Sequence, residues 1–129
     1  MGLTSQGGTN INDALIRALE IAEQVKSQEE ITSKTEQMII FLTDGQPTSG
    51  ETNNTLIKEN IRNANTNQVP IYGLAFGDGA DYDLVKDISD ESNGFAQRIY
   101  ESGNSFEQLE NFYKEISGKI LHIYCLVST

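Results

Sequence analysis

The stretch that decides the fold is Met38-Ile-Ile-Phe-Leu-Thr-Asp-Gly-Gln-Pro-Thr48. Its first five residues are consecutively apolar and partly β-branched, which predicts a short strand buried on both faces of a parallel sheet. The run ends at a polar turn, so Asp44 is expected where the carboxyl end of a central strand opens into a loop. Ligands bind at this edge in open α/β sheets. From its position alone, Asp44 fits two roles equally well: a cation ligand beside Thr43, or the start of a turn.

Helical and strand patterns alternate along the rest of the chain. Helices are predicted over 11–25, 55–65, 82–92 and 105–117, and further buried strands over 69–76 and 95–100. The second and fourth helices are expected to bury Leu56, Ile57, Ile61 and Ala64, and Phe106, Leu109, Tyr113 and Ile116, respectively. This order requires crossover connections, a parallel sheet and helices on both faces, which is an α/β fold.

The composition limits the classes of partner. A chain of 129 residues is a one-domain length, and its net charge is −10, from nineteen acids and nine bases. This charge disfavours binding to nucleic acid or to an anionic membrane, since both need a basic surface. It is compatible with divalent cations or a basic partner, although an ordinary acidic surface is the better explanation of the charge by itself.

Three further features bear on the compartment. Cys125 is the only cysteine, so no intrachain disulfide can form. Asn53-Asn-Thr55 is an acceptor sequence for glycosylation at Asn53, usable only in a secreted protein. The sequence contains no signal peptide and no apolar stretch long enough to span a membrane. Secretion is therefore expected of a longer parent protein rather than of this chain alone.

Enzymatic motifs are missing from the sequence. Gly77-Asp-Gly-Ala-Asp-Tyr82 follows a strand, as a dinucleotide-binding loop would, but it lacks the third glycine and presents two aspartates to the phosphates. Its aspartates also do not match the calcium-loop spacing, and Asp81 is predicted to cap a helix instead. His122 is the only histidine, and no nucleophile elbow accompanies it. The chain is therefore predicted not to be an enzyme.

Thr9 and Asp44 remain as candidate ligands. Thr9 precedes the first helix and Asp44 follows the central strand, so both lie in loops that can meet at one edge of the sheet. A hydroxyl, a carboxylate and several waters form a hard-oxygen set that suits Mg²⁺. Two protein ligands alone would hold the ion weakly.

Four strings in the chain resemble a known family. Gly7-Gly-Thr-Asn-Ile-Asn12 and Phe41-Leu-Thr-Asp-Gly45 resemble the second and third loops of a von Willebrand factor A domain. Gly94-Phe-Ala-Gln-Arg-Ile-Tyr-Glu101 and Gln108-Leu-Glu-Asn-Phe-Tyr113 narrow the resemblance to the A domain of the inter-alpha-trypsin inhibitor heavy chains. The similarity covers about 7–117, nearly the whole chain.

The resemblance implies a Rossmann-like three-layer sandwich with a metal-ion-dependent adhesion site on its upper edge. Thr9 matches the ligating threonine of the family's second loop, and Asp44 matches the aspartate of its third loop. The family's other ligands come from an Asp-x-Ser-x-Ser loop, and this chain has no such string. The nearest string, Asp90-Glu-Ser-Asn-Gly94, closes a helix and lacks the last serine. Binding of Mg²⁺, or of Mn²⁺ or Ca²⁺ in its place, is therefore expected to be weak or absent in this chain.

The family also implies a function for the parent protein. Heavy chains of this kind are secreted glycoproteins that associate with a protease-inhibitor light chain and become attached to hyaluronan. The chain is accordingly interpreted as a metal-dependent protein-binding module that recognises an acidic group of a protein partner. The alternative is a truncated fragment with an incomplete metal site and no independent binding activity.

The resemblance divides the chain into a partial A domain over 1–118 and a divergent apolar tail over 119–129. The family's first strand is missing, and it would pair with 38–42 in the centre of the sheet. The central strand is therefore expected to be a bare edge that promotes self-association. For the tail three alternatives remain: it extends the last helix, covers exposed sheet, or is an alternative or truncated end.

Overall fold

The computed structural model describes residues 8–28, 37–100, 104–117 and 122–128. The elements follow in the order α1 (Ile11–Gln28), β1 (Gln37–Thr43), α2 (Asn54–Ala64), β2 (Ile71–Phe76), α3 (Tyr82–Glu91), β3 (Ala96–Ile99), α4 (Ser105–Ser117) and β4 (His122–Ser128). No helix within the described ranges is long and apolar enough to cross a bilayer.

The four strands form one sheet in the order β3-β2-β1-β4. All three pairings are parallel, with Ile39 opposite Ile71 between β1 and β2, and Ala75 opposite Arg98 between β2 and β3. The predicted α/β class with a parallel sheet is confirmed. Because the strands run in the same direction, all their carboxyl ends meet at one edge of the sheet.

The tail is part of this sheet. β4 pairs with β1 over its whole length, from Gln37 opposite His122 to Thr43 opposite Ser128. The expectation that β1 forms a bare edge is therefore wrong, since β1 lies between β2 and β4. Of the three alternatives for the tail, the structure has the one in which it covers exposed sheet. The backbone N–H and C=O groups of β1 explain this arrangement, because an apolar strand is stable only when these groups are paired.

Successive side chains of β1 point to opposite faces of the sheet and belong to two separate apolar clusters. Ile39 and Phe41 pack on one face with apolar residues of α1, α2 and α3. Met38 packs on the other face with Phe112 and Ile116 of α4. The prediction that β1 is buried on both faces by helices is thus confirmed, and the period of two in a strand accounts for it.

Several predicted side-chain positions are wrong. Leu56, expected to be buried, is 43% exposed, whereas Ile57 and Ile61 of the same helix are buried. In α4, Phe106 and Tyr113 are also exposed, and Phe112 is buried in their place. The sequence offers two overlapping apolar stripes on α4, and only the one that contains Phe112 packs in the second cluster.

The end of α3 fixes the start of β2. Ser92 follows α3, and its buried hydroxyl accepts a hydrogen bond from Ile71 N at 2.9 Å. The same hydroxyl donates to Ser89 O at 3.0 Å. Asn93 adopts a left-handed backbone conformation (φ 66°), which asparagine tolerates and which ends the helix. This junction lies at the amino ends of the strands, opposite the edge that carries Asp44.

Candidate functional site

Hydrogen bonds around Thr9 join the loop before α1 to the loop after β1. Thr9 N donates to Thr48 Oγ1 at 2.8 Å, and Thr9 O accepts from Thr48 N at 2.9 Å and from Ser49 N at 3.2 Å. Thr9 itself is only 8% exposed. These bonds fix residue 9 at the carboxyl edge of the sheet.

The Thr9 side chain lies next to the Asp44 loop. A β-carbon added at Gly45 would lie 3.2 Å from Thr9 Oγ1, so the hydroxyl packs directly against the residue that follows Asp44. Within the described part of the chain this hydroxyl has no hydrogen-bond partner. The structure thus brings the two predicted ligand residues to neighbouring positions on one edge.

Asp44 presents an exposed carboxylate at this edge. Its backbone lies close to the loop after β2, because a β-carbon added at Gly79 would be 3.1 Å from Asp44 O. Its neighbour Gly45 accepts a hydrogen bond through its carbonyl oxygen from Asp81 N at 3.3 Å. Three loops therefore meet around Asp44, and its backbone is held while its side chain faces solvent.

The other aspartate at this meeting point has a structural role. Asp81 caps α3, as predicted, with Oδ1 accepting from Leu84 N at 3.1 Å. Its second oxygen, Oδ2, accepts from Asn54 Nδ2 at 2.9 Å. Each carboxylate oxygen thus accepts one hydrogen bond, and Asp81 joins the start of α3 to the start of α2.

The side chain of Asn10 forms hydrogen bonds with the first turn of α1. Its Oδ1 accepts from Asp13 N at 3.0 Å, and its Nδ2 donates to Asp13 Oδ2 at 2.8 Å. Asn10 therefore caps the start of α1. The cap sets the direction of α1 and, with it, the position of the residue just before Asn10.

The hydroxyl of Thr9 and the carboxylate of Asp44 fit part of a magnesium site. A hydroxyl and a carboxylate in adjacent loops are hard-oxygen ligands, and Mg²⁺ commonly keeps several waters beside one or two carboxylates. Among the described residues, however, no three histidine, cysteine, aspartate or glutamate side chains come together as a metal site. Thr9 and Asp44 would therefore hold an ion with only two protein ligands.

The string Asp90-Glu-Ser-Asn-Gly94 does not complete this site. It lies at the end of α3, next to the start of β2 and so at the opposite edge of the sheet. Asp90 instead accepts a hydrogen bond from Lys86 Nζ at 2.7 Å. This hydrogen bond and the charge of Asp90 raise the pKa of Lys86.

The loops described above agree with a comparison against protein families. A model of the von Willebrand factor type A domain matches residues 1–115. The chain belongs to this family. The A domain assignment supports a protein-binding module.

Curated relatives narrow the assignment within the A domains. The chain is 40% identical over 119 residues to inter-alpha-trypsin inhibitor heavy chain H4 of Sus scrofa, an alignment that covers 92% of the chain and 13% of the relative. It is 38% identical over 120 residues to heavy chain H1 of Homo sapiens, with 93% and 13% covered. Heavy chain H3 of Homo sapiens is 35% identical over 119 residues, with 92% and 13% covered. The chain thus spans about one eighth of the length of these relatives.

Some features of the A domain edge were not predicted from the sequence. Thr48 bridges to Thr9 through its hydroxyl, and a cleft containing Arg98 opens beside the Asp44 loop. No local pattern marks either residue, since their partners are far away in the sequence. The string around Arg98 contributed only to the family resemblance.

Proposed function

We propose that this A domain binds an acidic group of a protein partner through a hydrated Mg²⁺ held by Thr9 and Asp44. The observation that carries the proposal is the contact of Thr9 Oγ1 with Gly45, the residue after Asp44. When bound, the ion would supply a positive charge for a partner's carboxylate on a domain whose own net charge is −10.

The side chains at this edge support the proposal in different ways. Thr9 is buried and held by three backbone hydrogen bonds, so its hydroxyl is already positioned. Asp44 is exposed, so its carboxylate can approach an ion and waters from the solvent side. Pre-positioned ligands lose less conformational entropy on binding than mobile ones do.

Asp44→Asn is expected to weaken Mg²⁺ binding at least about tenfold, since it removes the only charged ligand of the pair. Thr9→Val should weaken it as well while retaining the size of the side chain. Isothermal titration calorimetry with Mg²⁺ and with Mn²⁺ in 150 mM salt measures both effects.

The matched control is Asp78→Asn, which removes one negative charge from the exposed loop after β2. It separates ligation from general attraction of cations to an acidic surface, and binding should be unchanged. Equal weakening by Asp78→Asn and Asp44→Asn would contradict a site at Thr9 and Asp44.

The alternative function is that of a fragment without independent binding activity. The observation that favours it is that no group of three histidine, cysteine, aspartate or glutamate side chains comes together in the described ranges. The same titration distinguishes the two. No heat from this chain, together with binding by a longer chain that contains an Asp-x-Ser-x-Ser loop, would support the alternative.

For the parent protein we propose secretion, together with the association with protease inhibition and a hyaluronan matrix that the heavy-chain resemblance implies. The relatives' names describe heavy chains of an inter-alpha-trypsin inhibitor. The acidic surface argues against direct capture of the hyaluronan polyanion by this domain. Its expected partner is a protein.

Glycosylation of Asn53 is part of the same proposal. Asn53 is exposed, and its Oδ1 caps α2 by accepting from Thr55 N at 3.0 Å and Leu56 N at 3.2 Å. Its Nδ2, the atom that carries sugar, has no hydrogen-bond partner within the described residues. The cap and the modification therefore use different atoms of one side chain.

Thr55→Val is expected to abolish glycosylation of a secreted form without changing stability, because it removes the acceptor sequence but leaves the Asn53 cap. Asn53→Ala should abolish glycosylation and also destabilise the domain by about 1 kcal/mol through loss of the cap. Mobility before and after glycosidase treatment measures the first effect, and denaturant unfolding of unglycosylated protein measures the second. A mobility shift that persists in Thr55→Val would contradict modification at Asn53.

A further inference from the structure

A cleft of about 680 Å³ opens at the carboxyl edge of the sheet, beside the Asp44 loop. Its walls come from three separate segments: Gln46 after β1, Asp81 and Tyr82 at the start of α3, and Gln97 and Arg98 on β3. Clefts of this size accommodate small ligands or a few residues of a peptide.

Among the described residues that line the cleft, Arg98 is the only basic one. Its guanidinium carbon lies 5.3 Å from the centroid of the Tyr82 ring, a cation–π contact that holds the group in place. Its Nε is buried and has no hydrogen-bond partner in the described part of the chain. A buried donor without a partner is energetically unfavourable.

The other two arginines of the chain have acidic partners. Arg17 lies 3.3 Å from Glu20, and Arg62 lies 2.9 Å from Glu91. Within the described ranges Arg98 has no such ion pair. Arg98 therefore differs from Arg17 and Arg62, because it lines a cleft and forms no ion pair with a described residue.

The acids that line the cleft do not neutralise Arg98. Asp81 uses both carboxylate oxygens for hydrogen bonds to Leu84 N and Asn54 Nδ2. Asp83 also lines the cleft, but it is exposed and makes no ion pair with Arg98. The negative charge of both acids disfavours a doubly charged phosphate more than a singly charged carboxylate.

We propose that the Arg98 cleft binds a carboxylate group of an acidic peptide. A guanidinium presents a planar set of donors that matches the two oxygens of a carboxylate. The site goes beyond the metal-dependent function because its positive charge comes from the protein itself. Since Gln46 belongs to the loop of Asp44, the cleft would provide a second, metal-independent contact for an acidic partner.

The test is a titration of the ¹⁵N-labelled 129-residue chain in EDTA, followed by two-dimensional NMR. The probes are a tripeptide with a central glutamate and both ends blocked, the same peptide with glutamine, a glycine tripeptide with a free carboxyl end, and inorganic phosphate. The glutamate peptide is expected to shift the amide signals of Tyr82, Gln97 and Arg98 saturably. Its dissociation constant should be at least about tenfold lower than that of the glutamine peptide.

Three variants locate the binding. Arg98→Gln should abolish saturable binding, and Arg98→Lys should weaken it, because lysine keeps the charge without the planar donors. Arg62→Gln is the matched control and should bind as the parent chain does, since Arg62 lies outside the cleft. If Arg98→Gln does not fold, as judged by thermal melting, the comparison of Arg98→Lys with Arg62→Gln decides the result.

The outcomes separate this proposal from the metal site. Saturable binding by either carboxylate peptide supports it, and the tighter of the two identifies a side-chain or a terminal carboxylate as the source. Equal binding of the glutamate and glutamine peptides together with no saturable binding of the free-carboxyl peptide, unchanged binding by both Arg98 variants, or tighter binding of phosphate would overturn it. Because EDTA removes divalent cations, failure of the Mg²⁺ titration does not affect this result, and the reverse also holds.

Discussion

Replacing residues 122–128 with a glycine–serine segment of equal length is expected to destabilise the domain by about 4 kcal/mol or more. β4 pairs with β1 over seven residues, and each net backbone hydrogen bond contributes roughly 0.5–1.5 kcal/mol. The replacement leaves the central strand of the sheet with one unpaired side. That strand is apolar, so the exposed edge would also pair with other chains.

Two measurements check this expectation. Denaturant unfolding should show a lower midpoint or the loss of a cooperative transition, and sedimentation velocity should show dimers or larger species at micromolar concentration. The matched control replaces 122–128 with alternating valine and isoleucine, which restores strand propensity without the native sequence. A glycine–serine variant that stays monomeric and melts like the parent chain would contradict a structural role for β4.

Gly94→Ala is expected to destabilise the domain by about 3 kcal/mol and to lower its Tm by about 10 °C. A β-carbon at residue 94 would overlap the carbonyl group of Ile71. That group is backbone at the start of β2, and Ile71 is paired with Ile39 of the central strand. The clash therefore cannot be relieved by rotation of a side chain, and shifting Ile71 would disturb the sheet.

Gly79→Ala is the matched control, since it adds the same methyl group at another glycine. Its β-carbon would lie 3.1 Å from Asp44 O, and a shift of a few tenths of an ångström in the loop after β2 would relieve this contact. The expected loss is below about 1 kcal/mol. Thermal unfolding followed by circular dichroism measures both variants, and equal losses would contradict the close approach of residue 94 to β2.

Patterns within a short stretch of sequence were sufficient to predict the features that depend on a single helix or strand. The apolar run of β1, the Asp81 cap and the bounds of α4 all follow from short-range rules on burial, capping and helical periodicity. The pairing of the tail did not follow from such a rule. The stretch 119–127 is apolar and short, and such a stretch is compatible with either a helix or a strand until its neighbour is known.

Patterns within a short stretch also did not predict which side chains of α2 and α4 are buried. Leu56 and Phe106 belong to apolar stripes by spacing, yet both are exposed, because each helix is buried along one narrower face. The angle at which a helix lies on the sheet depends on side chains from other elements, such as Phe95, which contacts both Tyr72 and Phe112. Spacing within one helix carries no information about that angle.

The sequence by itself determined the α/β class, the order of the first seven elements, and the positions of Thr9 and Asp44 in loops next to β1. Only the tertiary structure decided that residues 122–128 pair with β1, that Thr9 Oγ1 lies against Gly45, and that Arg98 lines a cleft and forms no ion pair with another described residue. The physical reason is that propensity and periodicity act between residues close in sequence. Strand pairing and clefts arise between segments far apart in the chain, where only packing of the whole domain selects one arrangement.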